Sequence, residues 1–419
     1  MSSAKALGNL LVLTYWDFRD ALVQTYTLPY LRIIQQHQSQ DARIYFLTLE
    51  KDPQFASSVE GARYRENLGA SRIVWLPKSY KSYGIGSMIR WISWLAQLRG
   101  IVIRNRIDTI HAFATPAGAA GYLLSILTGA SLVLDSYEPH AEAMVENGTW
   151  NRRGVAFRLL FKLEKLQTRR AKAVIGTTSG MLEYAKRNYG DTIRNFYVKP
   201  ACVDLTLFSH PPSQIKSKVL EEWKWTGKII CVYAGKLGGI YLDREVFDFL
   251  KAASDYWGDR FRFLFLTNQT REEVMTWCER SGFEFENLKM LFVPHKEVPK
   301  YLSLADFAIT PVKPVPTKRY CTPIKDGEYW AMGLPVVIPD NISDDSNIVR
   351  RESIGAVLNS LDQASYKSAL TTIDSLLSEP KNELMDRMRS VAVRYRDFAI
   401  AEEVYGKVYG NGRHGERNG

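Results

Sequence analysis

The sequence predicts an α/β protein made of two doubly wound halves. Short β-branched and aromatic runs alternate with amphipathic segments along the chain. A proline-flanked linker divides that alternation, which then restarts. Of the 419 residues, 46% are hydrophobic and 24% charged, enough to bury a core in each half.

In the first half the expected strands are Leu10–Thr14, Ile44–Leu49, Ile73–Leu76, Thr109–Ala112, Ser131–Asp135, Val174–Thr177 and Phe196–Lys199. Helical periodicity fills most of the gaps, as over Met88–Leu98 and Arg158–Arg170. The opening MSSAKALGNLLVLTYWDF has no basic segment leading into a long apolar one, and reads as a first buried strand rather than a signal peptide. Phe113–Leu134 is uncharged and long enough to cross a bilayer. Pro116, the glycines and the turn Thr128-Gly129 favour instead a strand end, a helix and the next buried strand; a membrane span is the alternative.

Pro200–Pro212 reads as a linker, after which Ile229–Tyr233, Phe261–Thr267, Lys289–Val293, Phe307–Thr310 and Val336–Ile338 are the expected strands. Asp386–Tyr409 reads as one amphipathic helix, followed by a polar, glycine-rich tail expected to be disordered. The resulting divisions are 1–205, 206–385, 386–410 and 411–419.

The formal net charge is +10, and all of the excess lies within residues 1–205. A basic half suits a phosphorylated substrate or an anionic membrane surface. No nucleic-acid-binding signature accompanies it, so nucleic acid is not an expected partner. Cys202, Cys231, Cys278 and Cys321 have no paired short spacing, which argues against a zinc knuckle or disulfide framework and suits a reducing, cytoplasmic setting.

The densest run of chemistry is Pro323-Ile-Lys-Asp-Gly-Glu-Tyr-Trp-Ala-Met-Gly-Leu-Pro-Val-Val337. Lys325 and Glu328, three apart at the start of a short helix, share one face. A helix N-terminus at the crevice beyond the strand ends suits a diphosphate. Lys325 would add a cation, and Glu328 could accept from two ribose hydroxyls. On spacing alone, a surface lysine and a dipole-complementing glutamate on an ordinary helix–strand connection fit equally well. Upstream, Ile229–Tyr233 leads into Ala234-Gly-Lys-Leu-Gly-Gly239, where Gly235, Gly238 and Gly239 let backbone amides approach phosphate and Lys236 can neutralise it. The bland alternative is an ordinary turn.

The 323–337 run resembles the donor-site motif of family 4-type retaining glycosyltransferases of the GT-B fold, as found among enzymes building bacterial polysaccharides and glycolipids. Pro323, Lys325, Glu328, Tyr329, Ala331, Gly333, Pro335, Val336 and Val337 match it. The resemblance implies two Rossmann-like domains facing a central cleft, with a C-terminal helix crossing back to the first. It implies that Glu328 binds the ribose, that Lys325 and neighbouring Ile324 lie near phosphates or sugar, and that Lys236 stands at the basic position of a phosphate loop. The family's second lysine of that loop is absent, with Arg244 as a substitute or simply a solvated arginine. The loop carrying Val293 and His295 would hold the nucleobase. Where better-known members have a sugar-side Glu, this chain has Tyr320, which leaves the donor sugar open.

In the first half, Asp135, Glu138 and His140 follow the Ser131–Leu134 run and are read as one strand-end loop. Such a cluster can position an acceptor hydroxyl or take its proton; a turn whose Asp satisfies loop amides is the structural alternative. The family places a His or Asp near this strand end, so His140 and then Asp135 are the catalytic candidates. Trp16, Asp17, Arg19 and Asp20, after the first strand, replace the family's glycines and suggest an acceptor pocket, or only cap the sheet. Met88–Arg99, with Trp91, Trp94 and the preceding Lys78 and Lys81, reads as a membrane-interface helix or as a core-packing one.

The expected reaction is transfer from a nucleotide diphosphate sugar to a hydroxyl of a glycan or lipid-linked saccharide, peripherally on the inner face of a membrane. No Asp-x-Asp pair offers a metal clamp; metal independence and retention follow from the resemblance alone. A sugar-nucleotide epimerase or hydrolase on the same fold, and a non-catalytic nucleotide-sugar-binding protein, are the alternatives.

Overall fold

The computed structural model describes residues 7–80, 85–191, 193–209 and 213–410, without the side chains of 85–93 and 213–215. It divides into two units. One runs to Lys199 and resumes at Ala399; the other is Pro200–Phe398.

The first unit has a seven-stranded parallel sheet in the order β3-β2-β1-β4-β5-β6-β7. The strands are β1 (Leu10–Leu13), β2 (Ile44–Glu50), β3 (Ile73–Ser79), β4 (Thr109–Phe113), β5 (Ser131–Tyr137), β6 (Ala173–Gly176) and β7 (Phe196–Val198). Residues of β1, β2 and β4 are buried throughout, because helices cover both faces of a parallel sheet. The uncharged 113–134 stretch is the end of β4, the helix Thr115–Thr128 and the start of β5. Among the described residues no helix is long and apolar enough to cross a membrane.

The second unit has a six-stranded parallel sheet, β10-β9-β8-β11-β12-β13. Its strands are β8 (Ile229–Ala234), β9 (Phe261–Leu266), β10 (Leu288–Leu291), β11 (Phe307–Ile309), β12 (Val336–Pro339) and β13 (Gly355–Leu358). The edge strand β13 escapes the sequence pattern because only alternate residues are buried. It starts at Gly355, where an added Cβ would lie 2.0 Å from the Val336 carbonyl oxygen.

The segment expected as one helix over Asp386–Tyr409 is two, Lys381–Arg396 and Phe398–Tyr409. Asp397 (φ −67°, ψ 145°) is extended and breaks it. The first helix packs in the second unit; the second packs on the first unit, where Tyr405 donates to Asp135 (2.6 Å). The interface reading of Met88–Arg99 turns partly on Lys81 and the Trp91 side chain, which lie outside the described residues, as does the 411–419 tail.

Candidate functional site

Doubly wound sheets reverse direction once, and ligands gather beyond the carboxyl ends of the two strands flanking that reversal. In the second unit these are β8 and β11. Gly235 follows β8 at φ 152°, a conformation that L side chains rarely adopt. An added Cβ there would lie 2.9 Å from Cε of Lys325 and 2.8 Å from the Tyr233 hydroxyl. The absent side chain lets Lys325 lie over the loop, with Nζ 5.3 Å from the Tyr241 ring centroid and 5.9 Å from that of Tyr233. Tyr233 donates to the Lys236 carbonyl (2.8 Å), and Gly238 (φ 82°) and Gly239 (φ 64°) complete the turn. Lys236 itself is exposed.

Lys325 and Glu328 lie on the helix Ile324–Ala331. Pro323 occupies its N-cap and supplies no side-chain acceptor, so the first-turn amides keep their capacity for a ligand. Tyr329 fixes the helix to the glycine turn by accepting from the Ala234 amide (3.0 Å). Glu328 is buried and accepts from Nε2 of His295 at 2.9 Å. Burial would lower the His295 pKa, but hydrogen bonding to Glu328 and its charge outweigh burial and raise it. The pair therefore favours the fold fully below the ordinary histidine range, and this is lost as pH rises through the raised pKa. Phe208 packs edge-on to the His295 ring at 5.5 Å.

The structure thus brings Gly235, Lys325, Glu328 and His295 together. Val293 is half-buried against the core. Tyr320, half-buried, ends a short turn with the Arg319 guanidinium 5.9 Å from its ring. Arg244 is 74% exposed and pairs with Asp248 at 3.7 Å, so it is the solvated arginine of the two readings.

Sequence reasoning missed what lies beneath. Asp326, Asp345 and Arg396 are buried together: Arg396 pairs with Asp345, and Thr310 donates to Asp326. Burial and then the Asp345 charge push the Asp326 pKa well up, so this carboxyl holds its proton. Gly327 leaves room for the same arginine, since a Cβ there would lie 2.8 Å from Arg396 Cγ. The small residue within the motif was the available signal.

In the first unit the reversal lies between β1 and β4. Asp135, read as a loop residue, is a correction: it lies within β5 and is fully buried. Around it stand Lys199 Nζ (3.2 Å), His111 Nε2 (3.1 Å) and the Tyr405 hydroxyl (2.6 Å). Burial raises its pKa, yet Lys199, then His111 and Tyr405, hold it well below the usual carboxylate range. Lys199 also lies 3.6 Å from the Tyr30 ring centroid, and His111 Nδ1 meets the Tyr409 hydroxyl at 2.5 Å. A carboxylate enclosed by these partners binds the last helix to the sheet and offers nothing to a substrate.

His140 and Glu138 lie beyond the carboxyl end of β5 and are partly exposed. His140 begins the helix His140–Glu146, its Nδ1 is 3.7 Å from Glu138 Oε1, and the Tyr15 ring after β1 lies edge-on at 6.0 Å. The backbone here is strained: Ala114 (φ 65°, ψ 157°) and Ser136 (φ 51°) have positive φ without being glycine.

Of the proposed acceptor residues, Trp16 is half-buried against Tyr15. Asp17 is corrected to a loop bolt, its carboxylate accepting from the amides of Arg19 (2.9 Å) and Lys51 (2.8 Å). Asp20 accepts from the Leu22 amide (2.9 Å) at a helix start, and Arg19 lies over Phe55 at 4.2 Å. These three side chains are spent on the loop itself.

Comparison with known proteins bears on both units. A family model described as glycosyl transferase 4-like domain matches residues 30–200. The whole chain has the GT-B fold. That fold is shared with sucrose-phosphate synthase from Thermosynechococcus elongatus at 13% identity and TM-score 0.72, covering 96% of this chain and 98% of that one. It is also shared with Anabaena HepE, solved in complex with UDP, at 14% identity and TM-score 0.70 over 96% and 99% of the two chains. WaaG, a glycosyltransferase of lipopolysaccharide biosynthesis, aligns at 13% identity and TM-score 0.69 over 96% and 100%. No curated protein matches the chain in sequence. The matched residues 30–200 cover β2 to β7, so His140 and Asp135 fall inside the match and the Lys325–Glu328 helix does not.

Proposed function

We propose that the protein transfers a glycosyl group from a nucleotide diphosphate sugar to a hydroxyl of a glycan or lipid-linked saccharide, with retention of configuration. The observation behind this reading is the assembly of Gly235, Lys325 and Glu328 at the β8/β11 reversal, beside a helix start without a side-chain cap. In the reading, Glu328 takes the ribose hydroxyls, exchanging its His295 contact. Lys236, Lys325 and the helix start stabilise the departing diphosphate, and the reaction needs no metal. Val293, His295, Pro323 and Ile324 would line the base and phosphates. His140, with Glu138 beside it, would face the reacting hydroxyl. The basic excess of the first half suits an anionic membrane surface carrying the acceptor. The UDP complex of HepE supports a nucleotide in such a fold.

A thermal-shift panel of UDP-, GDP-, ADP- and CMP-sugars tests the donor half. One base is expected to stabilise the protein, and Glu328→Ala to weaken that nucleotide ~10- to 100-fold, as for losing hydrogen bonds to a charged group. If no nucleotide stabilises the protein, or the variant responds like wild type, the site assignment fails. Donor consumed without any acceptor would favour a hydrolase or epimerase.

A further inference from the structure

The second unit has a hollow at the opposite edge of its sheet. Parallel strands place all their amino ends along one edge, and there the chain entering β8 (Lys228, Ile229), β11 (Ala305, Asp306) and β12 (Met332 to Leu334) lines a cleft of about 590 Å³. That volume is typical of small-molecule sites. Lys325 and Gly235 lie at the carboxyl ends, so the cleft is separate from them.

Its lining is divided. Met332, Leu334, Leu377, Leu384 and Met385 give an apolar wall. Beside it, Lys216 of the helix Ser213–Glu222 donates to the Ser303 carbonyl (2.8 Å). Burial, then the charge of Lys381, lower Lys216 to about 8, with Asp306 opposing. Lys216 thus stays charged at pH 7, close to a second ammonium. The Asp306 carboxyl is an opposite charge acting on both ammoniums.

The acids lining the cleft are also engaged elsewhere, although Asp306 attracts both lysines. Asp306 accepts from the Ile230 amide (2.9 Å), Asp374 from Trp257 Nε1 (2.8 Å), and Glu379 pairs with Arg387 (2.8 Å). Lys381 also opens the 16-residue helix Lys381–Arg396, whose first turn lines the cleft and whose N-cap, Pro380, supplies no side-chain acceptor. Two crowded ammoniums and an uncapped helix start favour an anion, and the apolar wall favours a body attached to it.

We propose that this cleft is a second ligand site for a small organic anion, its phosphate or carboxylate held by Lys216, Lys381 and the helix start, its apolar body against Met332, Leu334 and Leu384. The proposal stands independently of glycosyl transfer.

Titration calorimetry of the full chain with hexyl phosphate, hexanoate, hexanol and inorganic phosphate tests it, the two hexyl anions distinguishing the head group. One equivalent of a hexyl anion should bind at least ~10-fold more tightly than hexanol or inorganic phosphate. Lys216→Met should weaken it ~10-fold or more, Lys216→Arg should largely retain it, and exposed Lys381→Ala should weaken it several-fold. Should Lys216→Met not fold, Lys381→Ala carries the test. Glu328→Ala should bind the hexyl anion like wild type, and UDP should not displace it. Equal binding of hexanol, displacement by UDP, the absence of saturable binding, or indifference to both lysine changes overturns the proposal.

Discussion

In the second unit a buried ionic knot lies under the motif helix, where Arg396 reaches Asp345 beside Asp326; in the first it lies under β5, where Lys199, His111 and Tyr405 enclose Asp135. Both knots anchor a C-terminal helix, to β5 in the first unit and to neighbouring helices in the second, and in both the acid is lost to substrate chemistry. The units differ above the knot. In the second, the residues on the His295 and Gly235 side, Lys325 and Glu328, belong to the same helix as the buried Asp326, so one short run specifies both layers. In the first, the buried acid sits in β5, while His140 opens the next helix and Tyr15 follows β1. The candidate groups there come from separate segments, so no single motif contains them.

The contrast is most exposed to His140→Ala. If the first unit handles the acceptor, the variant should lose ~10²- to 10⁴-fold in kcat, the usual range for general acid–base residues, with nucleotide affinity unchanged. Transfer rates and calorimetry on the same samples decide it. A loss below about threefold would move the chemistry elsewhere.

Asp135→Asn tests the other half of the contrast. It leaves Lys199 buried without a counter-charge, a change that typically costs about 3–5 kcal/mol. Because the folded pKa of Asp135 is depressed, its contribution is present above the unfolded value, about 3.9, and is lost as pH falls below it. Melting at pH 7 should therefore fall by roughly 10 °C, and the gap to wild type should narrow below pH 4. Nucleotide affinity should survive. An unchanged melting temperature with lost transfer would return Asp135 to the catalytic group.

Fold and candidate site were legible for different reasons. Strands such as Ile44–Glu50 are buried at every residue, so their hydrophobic runs stand out; β13, buried at alternate positions on an edge, does not. Lys325 and Glu328 were legible because helical spacing fixes their common face. Asp135 was misplaced because a carboxylate after an apolar run looks the same whether the strand stops before it or carries it inside. Only its partners, 24, 64 and 270 residues distant, settle that, and pairings at such separations leave no local pattern. The break at Asp397 was missed for a related reason: amphipathic periodicity continues through a residue whose ψ has turned extended.

The smallest effect on transfer is expected at Glu164, buried beneath the His140 helix. It accepts from the Ala141 amide (2.8 Å) and the Tyr189 hydroxyl (2.8 Å), and burial, with the charges of Glu142 and Glu138 adding, pushes its pKa up to about 8. A carboxyl with a raised folded pKa favours the fold fully below its unfolded value, about 4.3, and that contribution fades as pH rises toward 8. Glu164→Gln keeps the shape and removes the titration. Relative to wild type it should gain ~1.4 kcal/mol for each pH unit above the unfolded value, levelling off near pH 8, and nothing near pH 4, read by denaturant titration across that range. Should both proteins follow one pH profile, Glu164 is ionised in the fold, and the first unit holds a second buried carboxylate beside the one in β5.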